Sequence, residues 1–138
     1  MEIDCDESQY AVYMKKGADV VGMEKKQLGD LGENLACEFL RKKGYQILER
    51  NFRCRMGEID IIARRSGTLV FCEVKTRRSL KYGLPCQAVN RKKMEHLRKA
   101  ATFYTLLKGS DFSNLRMDVV EVLKKDGRSY IRHIENAF

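Results

Sequence analysis

A chain of 138 residues, 43% hydrophobic and 33% charged, has the composition of one globular domain with a single core, which rules out wholesale disorder. No apolar run approaches the roughly 20 residues that cross a bilayer, the acidic N-terminus carries no secretory leader, and five cysteines without a Cys-x-x-Cys spacing argue against a disulfide framework or a zinc knuckle and for a reducing cytoplasm. The excess of 27 Lys and Arg over 19 Asp and Glu favours a polyanionic partner such as nucleic acid, although many small proteins are basic for solubility alone.

Charge divides the chain. Residues 1–22 hold five acidic residues and two lysines, and read as a disordered acidic extension or an upstream start-site artefact. Residues 23–138 carry the basic excess and form the single domain. Met23 to Lys43 is helical, with Leu28, Leu31, Leu35, Ala36, Cys37 and Phe39 near one face and Gly44 as its stop. Tyr45 to Arg50 is a short strand. A hairpin follows at Glu58–Arg64 and Leu69–Thr76, then a loop from Arg77 to Pro85. A second helix runs to about Lys108, with Met94, Leu97, Ala101, Tyr104 and Leu107 on a core stripe and Gly109 as its stop. Strands at Met117–Leu123 and Ser129–Ile134 flank a turn at Lys125-Asp126-Gly127. The order is αβββαββ, an α/β (α+β) fold with helices flanking a mixed sheet. Cys37 and Cys72 fall at apolar positions and read as small core residues.

The hairpin carries the chemistry. With Ser66-Gly67 as a two-residue loop, Arg65 pairs with Thr68, which sets Asp60 opposite Glu73 and Glu58 opposite Lys75. Alternation puts these four charges on one face, together with Ile62, Leu69 and Phe71. Ile59, Ile61, Ala63, Val70, Cys72 and Val74 share the other face, and a one-residue slip would mix the two sets. Like charges directly opposite each other are destabilising. A divalent cation or a shared proton would compensate Asp60 against Glu73. The plainer alternative is a Glu58–Lys75 cross-strand ion pair with the other carboxylates solvated. With only two histidines, His96 and His133, any ion would be held by oxygen, which favours magnesium or manganese.

Three basic groups adjoin one end of this hairpin: Arg53 and Arg55; Lys75, Arg77, Arg78 and Lys81; and Arg91, Lys92 and Lys93. Together they form a rim suited to nucleic acid. Cations at a helix N-terminus oppose the macrodipole, which a bound phosphate would make tolerable. If the helix instead begins near Pro85, the last group sits in its second turn.

Gly57-Glu58-Ile59-Asp60 and Phe71-Cys72-Glu73-Val74-Lys75-Thr76-Arg77 resemble the central motifs of the YraN-like family. That family is a poorly characterised bacterial branch of the PD-(D/E)XK nuclease superfamily, related to archaeal Holliday-junction resolvases. The resemblance runs from about Leu28 to Phe138 and takes in Gly32-Glu33, Arg50-Asn51, Pro85, Lys93, Tyr104, Arg116 and Asp118. It implies a restriction-endonuclease-like fold and a magnesium-dependent endonuclease acting on DNA, branched or repair intermediates included. Asp60, Glu73 and the Val74 carbonyl would hold the ion with Glu33 joining them, and Lys75 would act on the water or the transition state. Glu58 and Gln87 would support the site from behind; Gln87 stands where many relatives carry glutamate. Resolvase-like relatives are symmetric dimers, which makes a homodimer an expectation too. A second class of function is a nucleic-acid-binding module that keeps the fold and does not cut.

Overall fold

The computed structural model describes residues 11–13, 23–78, 91–109, 114–125 and 127–137. The elements are β1 (Ala11–Tyr13), α1 (Lys25–Lys42), β2 (Gln46–Cys54), β3 (Gly57–Arg65), β4 (Thr68–Arg77), α2 (Arg91–Lys108), β5 (Asn114–Lys125) and β6 (Arg128–Ile134). From α1 onward the order is αβββαββ, as the sequence predicts. The sheet has six strands in the order β1-β6-β5-β4-β3-β2. β4 and β5 are parallel and every other neighbouring pair is antiparallel. This is a mixed α+β sheet. β1, which pairs with β6 at one edge, is a strand the sequence analysis did not expect.

Local chemistry accounts for the elements. α1 opens with a capping box in which Glu24 and Gln27 satisfy each other's backbone N–H groups, and it ends at Gly44, whose φ is +90°. Ser66 and Gly67 both have positive φ, 49° and 78°, the signature of a type I′ hairpin turn. The register from Arg65↔Thr68 to Ile61↔Cys72 is the one the two-residue loop dictates.

Two apolar layers sandwich the sheet. On one side Leu35, Ala36, Cys37 and Leu40 of α1 pack on Ile61, Ala63, Val70, Cys72, Val120, Val122 and Ile131. On the other, Leu97, Ala100, Ala101 and Tyr104 of α2 pack on Ile59, Ile62, Leu69 and Phe71. Cys37 and Cys72 are buried free thiols, as expected. Two expectations fail here. Ile59 belongs to the α2 layer, not the layer of Ile61 and Ala63, because β3 runs on beside β2 alone at that point and a two-stranded ribbon twists more strongly. Leu107 is 59% exposed, because the apolar stripe of α2 ends at Tyr104 and the last turn adds nothing to the core. The Arg77–Pro85 loop, the helix start near Pro85 and the full Lys125–Gly127 turn lie outside the described residues.

α1 lies very close to β4. A Cβ built on Gly32 would fall 1.8 Å from the Thr76 hydroxyl oxygen and 2.8 Å from its Cβ, so only glycine fits. The same construction on Gly29, one turn earlier, meets nothing.

Candidate active site

The hairpin ladder stops at Ile61↔Cys72. Beyond it β3 stays with β2 down to Gly57, and β4 stays with β5 out to Arg77, so the strands part. Asp60 and Glu73 are therefore not a ladder pair, nor are Glu58 and Lys75, as the extrapolated register required. The parting follows from the other pairings, β3 with β2 on one side and β4 with β5 on the other, and it leaves Asp60 and Glu73 in contact through their side chains. Asp60 Oδ2 accepts the Val74 N–H at 2.8 Å, a hydrogen bond that takes the place of a ladder bond. The fork between the strands is a cleft with the carboxylates at its apex.

β3, β4 and α2 each contribute to the fork: Asp60 comes from β3, Glu73 and Lys75 from β4, and Lys93 from α2. Glu73 is 4% exposed, and its Oε1 receives Lys75 Nζ at 3.2 Å and the ammonium of Lys93 from α2. Burial, aided by the charge of Glu73, raises the Asp60 carboxyl to about 7, against which the Val74 hydrogen bond works. A proton held by Asp60 is one of the two compensations the sequence allows. Burial lowers Lys75, and the neighbouring Lys93 adds to this while Glu73 opposes it. Burial also works against Lys93, but Glu73 outweighs it and holds that ammonium above its ordinary range.

Glu33 reaches the cleft from α1. It is 8% exposed, and its Oε1 accepts Arg50 Nε at 3.1 Å and Asn51 Nδ2 at 3.0 Å. Asn51 adopts a left-handed φ of 52° inside β2, a conformation asparagine tolerates better than most residues. Glu33 adds to the field that raises Asp60. Glu58 is tied to Arg53 at 3.4 Å, not to Lys75, because the parted strands take it out of reach of β4.

Two cavities open on the fork, and Asp60 lines both. The larger, about 750 Å³, lies beside α1 and is bounded by Lys25, Gly29, Glu33, Val74, Lys75, Arg77 and Arg78 among others. The smaller, about 180 Å³, lies beside α2 and is bounded by Gly57, Glu58, Glu73, Lys93, His96 and Leu97. Of the expected basic rim, Arg77 and Arg78 adjoin the larger cavity and Lys93 the smaller. Arg53 is 77% exposed and paired with Glu58. Arg55, Arg91 and Lys92 are exposed on the surface and border neither cavity. Lys81 and Gln87 lie outside the described residues. α2 is described from Arg91, and within its first described turn Lys93 finds a carboxylate in Glu73.

Sequence reasoning missed two features. His96 reaches the smaller cavity because it sits one helical turn beyond Lys93; i, i+3 spacing was the signal that could have found it. The second is a buried polar network on the α1 side. Asp118, fully buried, accepts Arg116 Nε and Nη2 at 2.9 Å, His133 Nε2 at 2.6 Å and the Asn136 N–H at 3.1 Å. Lys43 Nζ donates to His133 Nδ1 at 2.8 Å, which leaves the ring proton on Nε2. Arg116 also donates to the Tyr45 hydroxyl. Burial acts to raise Asp118, but the His133 and Arg116 hydrogen bonds prevail and lower it. With the Ala137 N–H on the Met117 carbonyl at 2.9 Å, this network pins the C-terminal segment. It lies apart from the fork, and none of its residues borders either cavity.

Comparison with known proteins adds a family. The model of the uncharacterised protein family UPF0102 matches residues 32–122, which include Glu33, Asp60, Glu73, Lys75 and Lys93. A UPF0102 protein of Syntrophomonas wolfei is 49% identical over 113 residues, covering 82% of this chain and 98% of that protein. One from Caldicellulosiruptor saccharolyticus is 48% identical over 118 residues, covering 84% and 100%. One from Dictyoglomus thermophilum is 43% identical over 107 residues, covering 77% and 91%.

Proposed function

The chain belongs to the uncharacterised protein family UPF0102, and we propose that it is a cytoplasmic metal-dependent endonuclease that hydrolyses phosphodiester bonds in DNA. One observation carries this reading: Asp60 and Glu73, from two strands that part, meet at the apex of a fork with Lys75 on Glu73. Two buried carboxylates side by side, with Asp60 pushed toward its protonated form by burial and by Glu73, are a costly arrangement that a divalent cation would relieve. The donor set fits such an ion. Among the described residues no three acidic, cysteine or histidine side chains already stand grouped as metal ligands. Magnesium, however, commonly takes one or two carboxylates and completes its shell with water and phosphate. Asp60 and Glu73 would supply the carboxylates, with the Val74 carbonyl beside them and Glu33 behind, held by Arg50 and Asn51.

When bound, a magnesium or manganese ion supplies Lewis acidity toward the phosphate and an acidified water. The chain's own residues do the rest. Arg77 and Arg78, at the edge of the larger cavity, bind the backbone phosphates of the strand to be cut. Lys75, buried beside the carboxylates, holds its ammonium toward the phosphate oxygens as negative charge builds on them. The oxygen of water forms a bond to phosphorus while one bridging P–O bond breaks; the proton that the water loses passes to solvent and the departing oxygen takes one up from solvent.

The test is incubation with linear, flap and four-way DNA in magnesium or manganese. Expected is cleavage by the parent protein and a loss of about 100-fold or more for Asp60→Ala and Lys75→Ala, the range of a lost acid–base or charge-stabilising group. Equal cleavage by the variants would remove the mechanism. Salt-dependent DNA binding with no metal-dependent product would instead identify a binding module that keeps the fold.

A further inference from the structure

Lys93 enters the fork from a different element than the other charged groups. Asp60 and Glu73 are set by β3 and β4, and Lys75 follows Glu73 on the same strand. Lys93 projects from the first turn of α2 across the smaller cavity, and its ammonium rests on the same Glu73 oxygen that Lys75 contacts. Its side chain is 41% exposed against 16% for Lys75, so Lys93 has solvent to move into and Lys75 has little. Two ammonium groups on one carboxylate oxygen exceed what that charge needs.

We propose that Lys93 is a displaceable internal cation on Glu73, which keeps the carboxylate occupied until a polyanion draws the ammonium away. The inference rests on the metal-dependent reading and adds a regulation of the same site. A divalent ion on Glu73 competes with the two ammonium groups for the charge of one carboxylate, and Lys93, the more exposed of the two, is the one with room to leave. A phosphate at the cavity mouth offers the Lys93 ammonium another partner within the sweep of its side chain. Both ligands therefore favour the state in which Lys93 has left Glu73. Two ligands that favour one state bind with positive coupling, and each raises the affinity of the other by the same factor. The site then binds its cation weakly when empty and strongly when a nucleic acid lies across it.

The experiment is titration of the full chain with Mn²⁺, free ion followed by electron paramagnetic resonance, without and with a short phosphorothioate DNA duplex. Lys93→Met is compared with the parent, with Lys92→Met as an equal change in net charge at an exposed neighbour, and with Asp60→Asn. Circular dichroism checks folding. Without DNA, Lys93→Met is expected to bind Mn²⁺ on the order of tenfold more tightly than the parent, within the usual range of coupling between sites. Lys92→Met is expected to match the parent, and the gain in Mn²⁺ affinity on adding DNA should shrink only in Lys93→Met. Equal Mn²⁺ affinity in Lys93→Met and Lys92→Met overturns the inference while leaving the metal site standing. Unchanged Mn²⁺ binding in Asp60→Asn overturns the metal reading and the inference with it.

Discussion

Asp60 shows how one side chain ties stability to the proposed chemistry. Its carboxyl titrates near 7 in the fold and near 3.8 in an unfolded chain, raised by burial and by Glu73. Between these values the folded state holds a proton that the unfolded state has released, so stability falls as pH rises through that window. In chelator, melting temperature should therefore decline from about pH 4 to about pH 7. Asp60→Asn, which has nothing to ionise, should flatten that decline and exceed the parent at pH 8 by on the order of 2–4 kcal/mol. Added Mn²⁺ should restore the parent at pH 8 and leave Asp60→Asn unmoved, since a ligand stabilises only the state that binds it. Thermal melts across pH, with and without the ion, check all three. Asp118 has the opposite sign: its carboxyl is lowered on balance, so its contribution is present above the ordinary carboxylate range and is lost in acid. Asp118→Ala would leave Arg116 and His133 facing a buried void, at a cost of about 3–5 kcal/mol measurable by urea unfolding.

At the level of elements, α1 separates packing from access. Gly32→Ala drives a methyl into Thr76, the residue after Lys75, and should destabilise by about 1–3 kcal/mol while impairing any activity that depends on Lys75. Gly29→Ala adds a methyl that meets nothing and should stabilise by about 0.5–1 kcal/mol. Chemical denaturation of the two variants decides between them. The hairpin was legible in the sequence because a two-residue turn and strict alternation fix a register almost without tertiary information. The end of that register was not legible, because it depends on which third strand each partner chooses, and the pairing of β4 with β5 is decided by residues beyond α2. Alternation alone set Asp60, Glu73 and Lys75 on one face, and the structure brings them together although the ladder pairing of Asp60 with Glu73 does not form. The partner of Glu58, the reach of His96 and the role of Lys93 required knowing where α2 lies. Leu107 misled because helical periodicity reports a face and not how far the sheet beneath it extends.

Over the whole molecule, charge is sorted by position more than by amount. Lys25, Lys75, Arg77 and Arg78 surround the larger cavity, whereas Arg53 is satisfied by Glu58 on the outside. Arg78→Ala should weaken DNA binding and reduce the slope of log affinity against log salt by about 1, the value of one phosphate contact. Arg53→Ala should change neither by a comparable amount. Fluorescence anisotropy over a salt series measures both. No helix of the described residues is long and apolar enough to cross a membrane.

The Ser66–Gly67 turn has a consequence in time. It joins β3 to β4 through a two-residue loop, so closing it costs little entropy, whereas β4 meets β5 only after α2 has been traversed. The hairpin should form early and the parallel pairing late, and the carboxylates at the fork would reach their places last. Gly67→Ala strains the left-handed φ and should slow refolding in stopped-flow experiments while leaving the unfolding rate nearly unchanged. The cluster of Asp60, Glu73 and Lys75, on which the proposed cleavage depends, is then assembled only when the rest of the sheet is in place.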